Sequence, residues 1–218
     1  MPVLPVNGKN VNNASLNKKA NNHNMGSFLT SDECEYGYIP ISKNASKITR
    51  RYVSTKLGWS WKYAKGHFNN TEDKKFIVIL RNPVDRWISG ITEHIVRFYG
   101  FMDVKNIDFF INKKILDEHT EPQTSFLEGL DLSKCVFFKL NASLLENLDD
   151  FAKHNVKGYK DVPKVSDITH VDSKKELKNQ MKIRIRNLLQ EKNCTDLIAQ
   201  FYMKDCELFN NTKYYEKS

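Results

Sequence analysis

One stretch constrains the fold of this chain most strongly: a short apolar run that leads directly into a helix start. The run Phe76–Leu80 contains five apolar residues, three of them β-branched, which is typical of a strand buried on both faces of a sheet. Arg81 follows, and then Asn82 and Pro83 provide a helix cap and a first helical residue. Apolar residues then recur at helical spacing through Phe98. The sequence therefore predicts a buried strand, a tight turn and an amphipathic helix.

The end of this strand is a predicted anion site. Arg81 would lie at the carboxyl end of the strand, and Ser89 about two turns into the helix. Ligands of open α/β sheets bind at that edge, and a guanidinium beside helical N–H groups and a hydroxyl suits a phosphate. The alternative is an Arg81 that only closes the strand and pairs with Asp85.

A second stretch has the same strand–loop–helix order. Tyr36–Ile41 predicts the first strand, a polar loop containing Lys43 follows, and a helix continues to about Leu57. Backbone N–H groups at such a helix start can surround an anion while the lysine supplies a point charge. The loop is not a Walker A loop, because GxxxxGK[ST] is absent. The alternative is a solvent-exposed loop lysine.

The segment Arg81–Ser89, RNPVDRWIS, resembles the R-[DN]-P-x-[DE]-R-x-x-S stretch of sulfotransferases, and Ser42–Thr49 resembles their P-K-x-x-[ST]-[ST] loop. The resemblance extends over Tyr36–Phe209. It implies an α/β, three-layer, P-loop-like fold with a mostly parallel central sheet. It also implies transfer of a sulfuryl group from 3′-phosphoadenosine 5′-phosphosulfate (PAPS) to a hydroxyl, with a carbohydrate as the expected acceptor. The product would be adenosine 3′,5′-bisphosphate, and no metal is expected.

The resemblance also implies which residues hold the donor. Arg81 and Ser89 would bind the 3′-phosphate. The 5′-phosphosulfate loop would comprise Lys43, Asn44, Ala45, Ser46, Lys47, Ile48 and Thr49. Lys43 would also stabilise charge on the leaving oxygen. Two residues depart from the family pattern, Ser42 in place of proline and Lys47 in place of a hydroxyl residue. Either Thr49 supplies the missing hydroxyl or Lys47 contacts the phosphate itself.

Two histidines are candidates for the general base. The segment around His67 resembles the stretch that holds the catalytic histidine of cytosolic and uronosyl 2-O-sulfotransferases. His119 lies in Asp117–Gln123, which resembles the D-x-H-x-x-P-Q stretch of Golgi-type carbohydrate sulfotransferases. Gln123 is a candidate hydrogen-bond partner of acceptor or donor. A metal site at Asp117, Glu118 and His119 is disfavoured, because adjacent helical side chains point in different directions.

The remaining chain completes one predicted domain. Residues 1–33, rich in Asn and Lys, are expected to form a mobile arm, and residues 34–218 a single catalytic domain. Cys135–Leu140 predicts another buried strand, and the chain is expected to be helical from Ser173. Tyr202–Phe209 resembles the closing Y-x-x-D-x-x-L-[FY] of the family, to which we assign no catalytic role.

Composition narrows the class of partner. The net charge of +8 indicates anionic partners, but the cations are spread along the chain, which disfavours nucleic acid. Four cysteines without metal-like spacing indicate a reduced compartment. Without an apolar run long enough to span a bilayer or a signal peptide, we expect no membrane span and a cytoplasmic protein of a microbe or virus-infected cell. The alternative functions are a P-loop-like kinase and a degenerate, non-catalytic anion- or glycan-binding protein.

Overall fold

The computed structural model describes residues 27–63, 71, 73–98, 107–161 and 174–217. These residues form an α/β structure around one five-stranded sheet, as predicted. The strands are β1 (Ser27–Thr30), β2 (Tyr36–Ile39), β3 (Ser60–Tyr63), β4 (Lys75–Leu80) and β5 (Cys135–Lys139). The helices are α1 (Ser46–Lys56), α2 (Pro83–Phe98), α3 (Ile107–Lys113), α4 (Leu144–Asn155), α5 (Lys175–Glu191), α6 (Thr195–Phe201) and α7 (Met203–Asn211), with 3₁₀ turns at Thr124–Leu127 and Leu132–Lys134.

The sheet is mixed: the expected parallel arrangement holds for β2, β4 and β5, and β1 is the exception. Its strand order is β3-β1-β2-β4-β5. The pairs β2/β4 and β4/β5 are parallel, whereas β1 runs antiparallel to both β2 and β3. The reason is the length of the connections: only a short turn joins β1 to β2, whereas helical crossovers, which parallel strands require, join β2 to β4 and β4 to β5.

Strand β1 also corrects the expected arm. Ser27–Thr30 are buried in the sheet, and the Thr30 hydroxyl donates a hydrogen bond to the Tyr36 carbonyl at 2.6 Å. The Phe28 ring packs edge-on against Phe76 with centroids 5.3 Å apart. The apolar pair Phe28-Leu29 thus pulls this segment into the core despite its polar surroundings. Residues 1–26 lie outside the described part.

Both faces of the sheet are covered. Helices α1 and α4 pack on one face, where Tyr38 and Ile79 meet Val53 and Phe151. On the other face Val78 and Leu80 pack against the 3₁₀ turn Thr124–Leu127 and against α7. Helix α2 leaves the sheet edge and packs its apolar side against α5 and α6. This packing brings α5 alongside the carboxyl end of β4.

The described helices include none that is both long enough and apolar enough to cross a bilayer.

Candidate functional site

A cavity of about 580 Å³ opens where β2 and β4 end, within the size range of small-molecule sites. Four segments that are distant in sequence contribute to its wall: the loop before α1 with the first turns of that helix, helix α2, the loop around residue 119, and helix α5. The lining side chains used below are Lys43, Ala45, Ser46, Lys47, Ile48, Arg50, Ser89, Glu93, Arg97, His119, Lys178 and Lys182.

Helix α1 presents an uncapped N-terminus to this cavity. Its N-cap residue, Ala45, makes no capping hydrogen bond, and the first turn holds no acidic residue. Lys43 and Ala45 both have left-handed backbone angles, with φ of 68° and 58°, which is costly for residues with a Cβ and is concentrated at functional sites. Turns of this kind point successive N–H groups to one concavity, and the helix dipole adds to their attraction for an anion.

Lys43 is held by a carboxylate inside the cavity. Its Nζ lies 3.0 Å from Glu93 Oε2, and the same oxygen lies 3.0 Å from Lys178 Nζ. Burial would raise the pKa of Glu93, but the two ammonium groups outweigh it and lower that pKa to about 2. Burial lowers the pKa of Lys43, and the pairing with Glu93 only partly opposes this.

Arg81 reaches from the end of β4 to the loop before α1, and it is not among the residues that line the cavity. Its Nη1 donates to the Lys43 carbonyl at 3.0 Å, and burial lowers its pKa. The expected alternative, an ion pair with Asp85, is not what the side chains form: Asp85 Oδ1 lies 2.7 Å from Arg186 Nη2. Among the described residues no carboxylate pairs with Arg81, so its charge remains available to an anion.

Helices α2 and α5 run in opposite directions, and acidic residues of α2 face basic residues of α5 along their contact. Asp85 pairs with Arg186 and Glu93 with Lys178. Ser89 and Lys182 both line the cavity at the positions between these pairs. Lys182 forms no ion pair with a carboxylate in the described ranges, and burial together with the neighbouring cations Arg81 and Lys43 lowers its pKa. A mostly buried hydroxyl and an unneutralised ammonium therefore share one wall of the cavity.

Lys178 and Lys182 were missed in the sequence. Their spacing of four residues puts them in one row along a helix, directly beside the apolar row of Met181 and Ile185. That pattern could have predicted a cationic face. It contains no information on which helix the apolar side of α5 would pack against.

His119 lines the cavity and is backed by a carboxylate. Asp117 Oδ1 lies 3.2 Å from His119 Nδ1, while Asp117 Oδ2 lies 3.3 Å from His94 Nδ1. Burial would raise the pKa of Asp117, but hydrogen bonds from the two imidazoles hold it well below its usual value. Asp117 is therefore an anion between two imidazoles, and it also accepts the His119 backbone N–H at 2.8 Å. His94 was not among the predicted site residues.

The second arginine of the RNPVDRWIS segment is structural. Arg86 is buried, and its Nε donates to the Ser42 carbonyl at 3.0 Å. Its terminal nitrogens donate to the carbonyls of Glu118, at 3.3 Å, and of Glu121. Burial lowers its pKa to about 10. One guanidinium thus joins the loop before α1 to the loop that carries His119.

Three side chains that were predicted to contact the donor or acceptor, those of Asn44, Thr49 and Gln123, point inward, away from the cavity. The Asn44 amide donates to the Ile79 carbonyl at 2.7 Å and to Gln123 Oε1 at 2.5 Å. Gln123 in turn donates to the Arg81 carbonyl at 2.9 Å. The Thr49 hydroxyl is buried in the core, whereas Lys47 is exposed and lines the cavity. Of the two explanations for the departure at Lys47, the geometry fits the one in which Lys47 itself contacts the ligand.

The closing Tyr202–Phe209 segment makes hydrogen bonds to the chain that follows His119. Asp205 accepts the backbone N–H groups of Gln123 and Thr124 at 2.6 and 2.9 Å, and the Tyr202 hydroxyl donates to the Thr120 carbonyl. These bonds hold the segment after His119 in place. His67, the other candidate base, lies outside the described residues.

Within the described ranges no three His, Cys, Asp or Glu side chains gather as metal ligands would. Compared with known proteins, the chain matches no family model, no curated protein and no solved structure.

Proposed function

We propose that this protein is a sulfotransferase that moves a sulfuryl group from PAPS to a hydroxyl, with a carbohydrate as the acceptor, on a P-loop-like sulfotransferase fold. One observation carries the proposal. Lys43, Ser89 and His119 come from three separate sequence stretches, each selected for this chemistry, and all three line one cavity at the N-terminus of α1. An unrelated chain has no reason to bring these three together.

The cavity offers two anion sites for one donor molecule. The N-terminus of α1, with Lys47, suits the 5′-phosphosulfate, because helical N–H groups and a dipole favour a multiply charged group. Ser89 and Lys182, which line the cavity, suit the 3′-phosphate together with Arg81, a neighbouring cation that is not among the lining residues.

Lys43 and His119 take the two chemical roles. The acceptor oxygen attacks sulfur and the bond from sulfur to the leaving phosphate oxygen breaks. His119 accepts the hydroxyl proton at Nε2, because its Nδ1 faces Asp117. Lys43 stabilises the charge that develops on the leaving oxygen. This role requires the Lys43 ammonium to turn from Glu93 toward the donor.

Glu93 is the competing proton acceptor in the cavity, and its electrostatics argue against that role. A pKa of about 2 makes it a weak base at neutral pH. The His119 imidazole lines the cavity and has the Asp117 carboxylate beside it. His119 is therefore our preferred base, with His67 as the alternative.

Thermal unfolding with nucleotides tests the proposal. Adenosine 3′,5′-bisphosphate at about 100 times its Kd should stabilise the fold by roughly 2.7 kcal/mol. AMP, which lacks the 3′-phosphate, should shift the melting temperature much less. A shift with ATP and Mg²⁺ alone would instead indicate a kinase. No shift with any of these nucleotides would contradict a donor site and leave a degenerate binding protein.

A further inference from the structure

We propose that the exposed face of α1 and the indole of Trp61 form an acceptor groove for an acidic carbohydrate, one that bears carboxylates or sulfates. The inference rests on the proposed function only in naming the ligand of this groove as the acceptor of the sulfuryl group. The groove itself is a feature of the described surface. We refer below to its lining residues Lys47, Arg50, Arg51, Ser54 and Trp61 as the α1 groove.

The α1 groove adjoins the donor cavity. It has a volume of about 340 Å³, and two of its residues, Lys47 and Arg50, also line the cavity that contains Lys43 and His119. A molecule lying in the groove can therefore extend a hydroxyl across Lys47 toward the reacting centre.

All the charged residues that line the groove are cations. Helix α1 contains no acidic residue, and Lys47, Arg50 and Arg51 occupy positions i, i+3 and i+4 on one of its faces. Like charges at this spacing destabilise a helix. None of the three pairs with a carboxylate in the part of the chain that the structure describes. A ligand with regularly spaced anionic groups would relieve this repulsion.

An aromatic ring completes the groove. Trp61 lies on the edge strand β3 and keeps 36% of its surface exposed. The Arg50 guanidinium sits 5.7 Å from the centre of its ring, a cation–π contact that holds the indole in place. An indole offers a flat apolar surface for the C–H face of a sugar ring, and guanidinium groups beside it can bind a carboxylate or sulfate with two hydrogen bonds.

This combination favours a carbohydrate over a nucleic acid. Proteins that bind single-stranded nucleic acid stack successive bases on several aromatic rings. Among the described residues the α1 groove has one ring, Trp61, with cations spaced around it. A single stacking surface between charged groups suits one sugar of an acidic chain.

Binding of defined oligosaccharides to the full chain tests the groove without any activity assay. The probes are fluorescently labelled tetragalacturonate and its carboxyl-reduced, neutral counterpart. We expect the neutral chain to bind at least about tenfold more weakly at low salt. Arg51→Ala and Trp61→Ala should each weaken tetragalacturonate binding about tenfold. Trp61→Phe should stay close to wild type, and Lys204→Ala, which removes an exposed cation from α7, should not differ from it.

Several outcomes would overturn the inference. These are equal binding of the neutral and acidic chains, or an Arg51→Ala protein that behaves like Lys204→Ala. Tighter binding of a ten-nucleotide oligothymidylate, lost in the same variants, would assign the groove to nucleic acid. Binding of adenosine 3′,5′-bisphosphate to the wild-type protein is measured separately. If adenosine 3′,5′-bisphosphate binds and the oligosaccharide does not, the acceptor inference fails and the proposed function stands. If the oligosaccharide binds and the bisphosphate does not, only the donor site is contradicted.

Discussion

The carboxylate of Asp117 lies 3.2 Å from Nδ1 of His119, and that imidazole faces the cavity at the start of α1. This is a close charge contact, whereas the hydrogen bond to that carboxylate oxygen comes from the His119 backbone N–H at 2.8 Å. The same carboxylate also contacts His94 from the far side. Three side chains thus form a short chain from the cavity wall into the protein, in which the middle member is an anion.

Replacing Asp117 by Asn should therefore impair catalysis more than binding. The amide keeps the size of the side chain but loses the charge that orients and supports the His119 imidazole. We expect sulfuryl transfer to fall about 10²-fold, and His119→Ala to cost on the order of 10²- to 10⁴-fold. Rates are measured with labelled PAPS, alongside adenosine 3′,5′-bisphosphate affinity, which should stay near wild type. A His119→Ala protein with normal kcat would transfer the role of base to His67.

Lys182 should contribute to recognition of the 3′-phosphate. Lys182→Ala is expected to weaken binding of adenosine 3′,5′-bisphosphate about tenfold or more, because it removes an unneutralised cation beside Arg81 and Ser89. Binding of AMP, which lacks that phosphate, should change much less. Calorimetric titration of both nucleotides makes the comparison, and Lys192→Ala, at the other end of α5, is the matched control. An equal loss for both nucleotides would rule out a specific role.

Glu93 should make stability depend on acid pH. Its folded pKa of about 2 lies below the ordinary 4.5, so its pairing with Lys43 and Lys178 stabilises the fold above about pH 4.5. That contribution should disappear as the pH falls toward 2. Because the carboxylate is partly exposed, we expect only about 1–2 kcal/mol.

Urea unfolding of wild type and Glu93→Gln at several pH values measures this contribution. The difference in unfolding free energy should be largest near pH 6 and should shrink below pH 4. Glu93→Gln should also bind adenosine 3′,5′-bisphosphate more tightly, because Lys43 no longer has a competing carboxylate. A stability difference that is independent of pH would contradict the assigned ion pairs.

Gly90 should be required for the position of His119. A Cβ on Gly90 would lie 2.4 Å from the His119 carbonyl oxygen, so Gly90→Ala must push that loop away from α2. Glycine to alanine inside a helix otherwise stabilises by about 1 kcal/mol. We expect the opposite sign here, a loss of about 1–3 kcal/mol, together with reduced transfer. A more stable, fully active Gly90→Ala protein would show that the His119 loop can move away from α2 without loss of stability or activity.

Much of the fold was readable from local patterns. The apolar run ending at Leu80 is strand β4, and Asn82-Pro83 does begin α2. The predicted anion loop does precede a helix, α1. Periodicity and helix-start chemistry act over a few residues, and so a sequence displays them directly. Strand β1 was missed because its four residues lie in a polar stretch and depend on burial against Phe76 and β2.

The candidate site likewise has features that local patterns predict and features that depend on packing. Local patterns were enough to identify the elements and the chemical types: Lys43 before a helix start, Arg81 at a strand end, Ser89 in the helix after it, and His119 as a candidate base. Packing between distant segments is what brings Lys182 of α5 to the cavity and turns Asn44 and Gln123 inward to join two loops. The physical reason is that a helix face or a polar side chain carries no local mark of its partner. That partner is selected by how the apolar surfaces pack across the whole chain.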